Sequence, residues 1–172
     1  MEKSSRDRLV EAGVQVLGRD GGTRFSVRVT EAEAALPHGS VRHHLGGLGG
    51  LVDAMVEHLL RAEMEQALTS PEETLRDWLG PNRVRTQARY ELITQAFRTP
   101  RLRDAMLSAR DRVIFDVAAG LGLSRDRAAI LVVAIDGLVL DALLRGASEL
   151  RPGALELLVE LESSGTVRTP PR

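Results

Sequence analysis

The sequence predicts an all-α fold of about nine helices, with a three-helix head at the N-terminus and a larger helical region behind it. Three observations favour this class. Apolar residues recur at helical spacing in almost every segment, prolines and glycines separate the segments, and no run alternates as a half-buried strand would. A chain of 172 residues, 43% of them hydrophobic, can bury the core of one domain or of two small ones.

The first helix is predicted from Ser5 to about Arg19, because its apolar residues share one face and its charged residues the other. "DGGTRFS" ends this helix, since glycine stops helices at little cost. Ser26 has an N-cap side chain, so a short second helix is expected over residues 26–34.

A third helix is predicted from Pro37 to about Leu45, because proline suits the first turn of a helix and interrupts the one before it. Val41, His44 and Leu45 would face inward. "GGLGG" would then break the helix, and a fourth would run from Leu51 to about residue 68.

Prolines divide the part of the chain that follows the fourth helix into further helices. Pro71 and Pro81 bracket a short helix, and Pro100 separates two longer ones. After Ser124, a predicted N-cap, "RDRAAILVVAIDGLVLDALLRG" is apolar almost all the way round, which indicates that a partner chain covers part of it. A leucine-rich helix over about residues 152–163 and a frayed tail complete the prediction.

Composition narrows the function classes. The net charge of -1 does not indicate a nucleic-acid partner, so binding to nucleic acid would require a local patch of basic residues. The absence of cysteine excludes disulfides and thiolate chemistry. No secretory signal or long apolar run is present, and the expected location is cytoplasmic.

Residues 36–56, "LPHGSVRHHLGGLGGLVDAMV", admit three interpretations. A metal site is disfavoured, because the histidines at 38, 43 and 44 offer no i, i+4 pair on a helix. A phosphate loop is disfavoured, because the glycines follow a helix and no lysine is present. A helix-turn-helix remains, in which the second helix places its N-terminal residues in the major groove of DNA.

In that interpretation each residue type at the start of the third helix has a use. Gly39 permits close approach to a phosphate, and Ser40 can donate a hydrogen bond to one. Arg42 can pair bidentately with guanine. The candidate DNA contacts are Ser26, Arg28, His38, Gly39, Ser40, Arg42 and His43.

The stretch "RDRLVEAGVQVLGRDGGTRFSVRVTEAEAALPHGSVRHHLGGLGGL" resembles the N-terminal region of the TetR family of bacterial transcriptional regulators. The similarity covers about residues 6–60 and is greatest over "PHGSVRHHL". It implies a helix-turn-helix head over 1–48, a helical ligand-binding and dimerisation domain over 49–165, and a disordered tail over 166–172.

The chain departs from the family pattern at several positions. Thr30 and Glu31 replace a buried Ile-Ala pair, and Ala35 replaces a turn glycine. Leu48 replaces a lysine near the DNA backbone. A buried Glu31 would be costly unless paired, so a shifted or loosened second helix and weaker DNA binding are expected.

The resemblance further implies a homodimer on a near-palindromic DNA operator and a small-molecule effector. No cofactor, metal or enzymatic activity is expected. The candidate pocket residues, which could equally be plain core, are Trp78, Tyr90, Phe97, Met106 and Phe115. The candidate dimerisation residues are Leu131, Ile135, Leu138, Leu155 and Leu158. The alternatives are an effector-binding dimer with a degenerate DNA head and a small helical enzyme, for which no catalytic constellation is visible.

Overall fold

A computed structural model describes residues 3–67 and 71–163 of the chain. This part is all-helical, which confirms the predicted fold class. The helices are α1 (Ser5–Asp20), α2 (Val27–Glu33), α3 (Ser40–Leu45), α4 (Leu48–Ala67), α5 (Pro71–Leu79), α6 (Arg83–Ala96), α7 (Pro100–Leu121), α8 (Arg125–Leu144) and α9 (Ala154–Ser163). The predicted tail lies outside the described residues. None of the described helices is long and apolar enough to cross a membrane.

Two compact units divide the chain, Met1–Arg110 and Asp111–Arg172. In the first, one apolar cluster joins α1, α3, α4 and α6, and its fully buried members include Leu17, Val41, Met55 and Leu92. The N-terminal helices are therefore built around the same core as α4 and α6. The domain boundaries given above, which are functional ones, stay a prediction.

Close packing of α1 depends on its glycines. A Cβ atom on Gly18 would lie 1.9 Å from the carbonyl oxygen of Val84 on α6, and one on Gly13 would lie 2.8 Å from the sulfur of Met55 on α4. Backbone cannot yield to such a clash as a flexible side chain can. Gly18 therefore sets how closely α1 approaches α6.

The boundaries of α3 and α4 differ from those predicted. Helix α3 begins at Ser40 and not at Pro37, because Gly39 adopts a left-handed conformation with φ of 94° immediately before it. Helix α4 begins at Leu48 and not at Leu51, so Gly49 and Gly50 belong to its first turn. A Cβ on Gly50 would lie 1.8 Å from the carbonyl oxygen of Leu45. Glycine is needed there for close approach and does not end the helix.

The second unit contains α8 and α9. Ser124 caps α8 as predicted, its side chain accepting a hydrogen bond from the backbone N–H of Arg127. Ala128, Leu131, Val139 and Ala142 are buried, yet several large apolar side chains on α8 remain exposed.

Candidate nucleic-acid interface

The turn between α2 and α3 is closed by backbone hydrogen bonds. The N–H of Leu36 donates to the carbonyl of Glu31, and the N–H of Ala35 donates to that of Ala32, both at 3.0 Å. Ala35 has a φ of 50°, in the left-handed region that usually favours glycine at this position of the turn. Both helices of the motif are thereby held at a fixed angle by a non-glycine residue.

Arg8 ties this turn to α1. Its Nη2 atom donates to the carbonyl oxygens of Ala34, at 2.7 Å, and Ala35, at 3.3 Å. These carbonyls lie at the end of α2, where no further helical turn can satisfy them. The negative end of the helix dipole at the C-terminus of α2 also attracts the cationic side chain of Arg8.

The expectation that Glu31 loosens α2 is wrong. Glu31 is buried, and its carboxylate accepts hydrogen bonds from the N–H groups of Gly39, at 3.1 Å, and Val41, at 2.9 Å. Its other oxygen lies 3.0 Å from Nδ1 of His38. The bond from Val41 is the largest cause that holds the pKa of Glu31 below its ordinary value, against the opposing effect of burial. The buried carboxylate is therefore hydrogen-bonded, and α2 is a continuous helix from Val27 to Glu33.

The other departure on α2, Thr30, is fully buried, and its hydroxyl has no hydrogen-bond partner among the described residues. It occupies a core position that suits an apolar side chain such as isoleucine. Burying a hydroxyl group without a hydrogen bond costs stability.

His38, just before α3, and Arg42 and His43 on α3 are exposed, and we call these three residues the reading edge. The side chain of His38 is 87% exposed, and Arg42 and His43 are also exposed. Val41 is fully buried behind this edge and anchors α3 to the core. Within residues 3–67 and 71–163, Arg42 forms no ion pair, so its guanidinium is available for an external acceptor.

The neighbouring candidates are placed as follows. Gly39, which lies in the turn before α3, is exposed, and so is Arg28 on α2. The Ser26 hydroxyl caps α2 by accepting from the N–H of Val29 at 3.3 Å, as its N-cap assignment predicts. The Ser40 hydroxyl donates to the carbonyl of Pro37 at 2.6 Å. Both hydroxyls keep lone pairs, but the hydrogen of Ser40 is already engaged.

The prediction that His44 faces inward is wrong, and two side chains of α4, Leu48 and His58, differ in exposure. His44 is exposed and not packed inward, because it lies about 100° around α3 from Leu45, at the edge of the side that Val41 and Leu45 turn toward the core. Leu48, at the start of α4, is 48% exposed. His58 on α4 is half-buried, with its Nε2 3.1 Å from Nη2 of Arg85. Burial first, and then the charge of Arg85, lower the pKa of His58.

The five predicted pocket residues differ in burial and in the side chains that they contact. Trp78 and Tyr90 are partly buried and flank the buried guanidinium of Arg89, which lies 4.9 Å and 5.0 Å from the two ring centroids. Met106 packs against the core of the first unit. Phe97 and Phe115 are 72% and 69% exposed. The structure thus brings two of the five predicted residues together, around an arginine that sequence reasoning missed.

The predicted dimerisation residues are largely covered within the chain. Leu131 is buried, and Ile135, Leu138, Leu155 and Leu158 are half-buried. The exposed apolar side chains of α8 are Ile130, Val133, Leu140 and Leu144. With Gly137 they follow a 3, 4, 3, 4 spacing and fall within a sector of about 80°. We call this set the apolar stripe.

Sequence reasoning also missed the roles of Glu31 and Arg8. A signal for Glu31 existed: a lone acidic residue on the inward side of α2, ten residues before Val41, with a glycine and no capping side chain at the start of α3. No local pattern identifies Arg8, whose partners are backbone carbonyls 26 and 27 residues away.

Comparison with known proteins identifies the family of the chain through its C-terminal part. The family described as "Tetracyclin repressor-like, C-terminal domain" matches residues 62–163. No curated protein matches the chain significantly.

Several solved structures are similar over almost their whole length. Multidrug binding protein EbrR, complexed with imidazole, is 28% identical, with 98% of this chain and 100% of that chain covered and a TM-score of 0.73. A TetR family member from Streptomyces coelicolor A3 is 27% identical over 92% of this chain and 98% of that chain, with a TM-score of 0.80. A transcriptional regulator from Rhodococcus sp. Rha1, at 21% identity, covers 97% of this chain and 100% of its own with a TM-score of 0.78, and shows the shared fold alone.

Proposed function

Because the chain belongs to the tetracycline-repressor-like family of transcriptional regulators, we propose that it binds a near-palindromic DNA operator as a homodimer and releases it when a small molecule binds. Such a regulator acts in the cytoplasm, on chromosomal DNA. The observation that carries the proposal is the reading edge: polar and cationic side chains exposed on a helix whose opposite side is anchored by a fully buried valine.

The reading edge has the chemistry of base recognition. The guanidinium of Arg42 presents a planar fork that matches O6 and N7 of guanine in the major groove. His38, whose exposed ring precedes α3, and His43 lie beside it and meet adjacent base edges. Arg28 on α2 contacts phosphate and contributes affinity without sequence information.

The apolar stripe on α8 supports the homodimer. Its spacing of 3 and 4 residues is that of a helix packed against another helix, and it leaves four large apolar side chains exposed on one side. Two copies related by a two-fold axis would cover the stripe with itself, with Gly137 allowing close approach. A two-fold dimer would present its two reading edges to half-sites about one DNA turn apart.

The effector is a small molecule that binds beside the aromatic pair of the first unit. Trp78 and Tyr90 offer flat apolar surface around Arg89, and solved structures of EbrR contain ethidium and proflavin. Phe97 and Met106 of the same unit stay candidate lining residues, whereas Phe115 belongs to the second unit and its role stays a prediction. A ligand that binds the DNA-free conformation better lowers operator affinity by shifting the population, as linkage requires.

Selection from random-sequence duplex DNA by the full-length protein tests the proposal. We expect one enriched near-palindrome, whose affinity falls steeply between about 50 and 200 mM salt. Failure to enrich any sequence at 50 mM salt would contradict the proposal.

That outcome would favour the alternative, an effector-binding dimer with a degenerate DNA head. The exposed Leu48, at a position where the resemblance leads us to expect a phosphate-binding lysine, is the observation in its favour. Glu31, which first suggested a degenerate head, is satisfied by three hydrogen-bonding groups and no longer does so.

A further inference from the structure

We propose that Glu31 is a positioning residue for sequence recognition: its buried carboxylate fixes the start of α3, so that His38 and Arg42 meet the bases in one orientation. The inference rests on the proposed DNA-binding function. It concerns how the reading edge discriminates between sequences.

Helix α3 is unable to order its own first turn. It has six residues, fewer than an isolated helix needs in water, and its N-cap is Gly39, which has no side chain to accept a hydrogen bond. The first N–H groups of any helix lack partners within the helix. A cap from elsewhere in the fold is therefore required.

Glu31 supplies that cap from the preceding helix. One carboxylate oxygen accepts from the N–H groups of Gly39 and Val41, at 3.1 Å and 2.9 Å. The N–H between them, that of Ser40, donates to the carbonyl of Pro37 at 3.2 Å. Three consecutive donors at the start of the reading segment are thus satisfied, two of them by one buried anion.

The backbone of Glu31 is fixed at the same time. Its carbonyl accepts the bond from Leu36 that closes the turn after α2. One residue therefore connects both sides of the helix-turn-helix, its main chain holding the turn and its side chain holding α3. Any rotation of α3 relative to α2 would have to break bonds to a buried charge, which is costly.

The second carboxylate oxygen orients His38. An ionised carboxylate only accepts, so Nδ1 of His38, 3.0 Å away, carries the hydrogen. Nε2, the other ring nitrogen of this exposed side chain, is then left for an external partner. Glu31 thus determines which nitrogen of His38 meets the DNA.

Glutamine at position 31 has the same shape but lacks the charge. Its oxygen can accept from Gly39 and Val41 only as a weaker, neutral acceptor, and its NH2 group would face Nδ1 of His38, which must then accept and leave the hydrogen on Nε2. Hydrogen bonds to base edges require one orientation of α3 relative to the DNA. A flexible arginine side chain, in contrast, can reach a phosphate from many orientations. We therefore expect Glu31→Gln to reduce binding to the selected duplex roughly 10- to 100-fold, the equivalent of one to two charge-assisted bonds. Binding to a scrambled duplex of the same composition should change by less than about twofold, because phosphate contacts are retained.

Glu33→Gln is the matched control, since it makes the same substitution on the same helix. Glu33 pairs with Arg19 at 3.1 Å, on the side of α2 away from the reading segment. Its substitution should leave the ratio of the two affinities unchanged. If Glu31→Gln is folded by circular dichroism and keeps the wild-type ratio, the inference is wrong while the proposed function stands. If the wild-type protein selects no sequence, the proposed function fails, and the inference with it.

A titration of the wild-type protein covers the case in which Glu31→Gln does not fold. The lowered pKa of Glu31 means that its bonds are present at neutral pH and are lost only as the pH falls through a value below the ordinary one for glutamate. The amide resonances of Gly39 and Val41 should shift together with the Glu31 carboxyl carbon in that acidic range. Amides that do not follow the carboxyl carbon would overturn the inference.

Discussion

Helices α3 and α8 differ in how they are stabilised and in the kind of surface that they expose. Helix α3 has six residues and one fully buried side chain, and it is held by a carboxylate from α2. Helix α8 has 20 residues and its own serine cap, yet Val133 and Leu144 on it are 57% and 78% exposed. The short helix exposes cationic and polar groups, and the long one exposes an apolar stripe.

The difference indicates the kind of partner each surface can accept. Hydrated cationic groups lose little by remaining exposed and gain when they meet phosphates and base edges, with release of counterions. Exposed apolar area gains most from another apolar surface, typically protein. A single chain therefore has one face suited to nucleic acid and another suited to a copy of itself.

The largest expected effect is on the apolar stripe. Leu140→Glu places a charge where two stripes would meet, twice in a symmetric dimer, and burying an unpaired charge is strongly unfavourable. We expect self-association to weaken roughly 100-fold or more, measured by sedimentation equilibrium. Operator affinity should fall with it, because the two half-sites are then bound independently.

Leu121→Glu is the control for this substitution. Leu121 is 58% exposed and belongs to the same unit, but it lies on α7, outside the stripe. It should leave the molar mass unchanged. A Leu140→Glu protein that remains dimeric would remove the stripe from the proposed interface.

The next effect is on the reading edge. Arg42→Ala should cost about 10- to 100-fold in affinity per half-site, since a bidentate guanine contact contributes about 1–3 kcal/mol of discrimination. The preference at one base pair of the selected operator should be lost as well. Competition with duplexes altered one base pair at a time measures both quantities.

Arg28→Ala separates base recognition from phosphate binding. It should weaken all duplexes alike and reduce the salt dependence by about one counterion, without altering the base preference. If Arg42→Ala also weakened all sequences equally, Arg42 would be a phosphate contact, and the proposed role of the reading edge would be contradicted.

Local patterns predicted the fold well. Apolar periodicity and the serines at 26 and 124 identified the helices and two of their caps, because those signals involve neighbouring residues. The sequence predicts the start of α3 three residues early, because Pro37 suits a first helical turn, whereas the left-handed Gly39 delays the helix to Ser40. It also predicts a helix break at Gly50, although this glycine lies in α4 and permits close approach to Leu45.

The candidate site was less predictable, because its determinants are not local. The partners of Glu31 and Arg8 are set by the packing of α1, α2 and α3. The apolar stripe could not be identified either, since α8 is apolar all round and periodicity offers no preferred side. The predicted Leu131 lies on the side that the chain itself buries.

The smallest expected effect concerns the turn that joins α2 to α3. Ala35 is left-handed, with φ of 50°, a conformation that costs a residue with a Cβ about 1–2 kcal/mol. Ala35→Gly removes this strain but adds freedom to the unfolded chain, worth about 0.4–1 kcal/mol. The net gain should be about 0.5–1 kcal/mol in the free energy of unfolding by urea. Ala32→Gly, three residues earlier and inside α2, should instead lose about 1 kcal/mol. Two Ala→Gly changes of opposite sign would show that the turn, and not the residue type, sets the effect, whereas a loss at Ala35 would mean that its methyl group contributes packing that outweighs the strain.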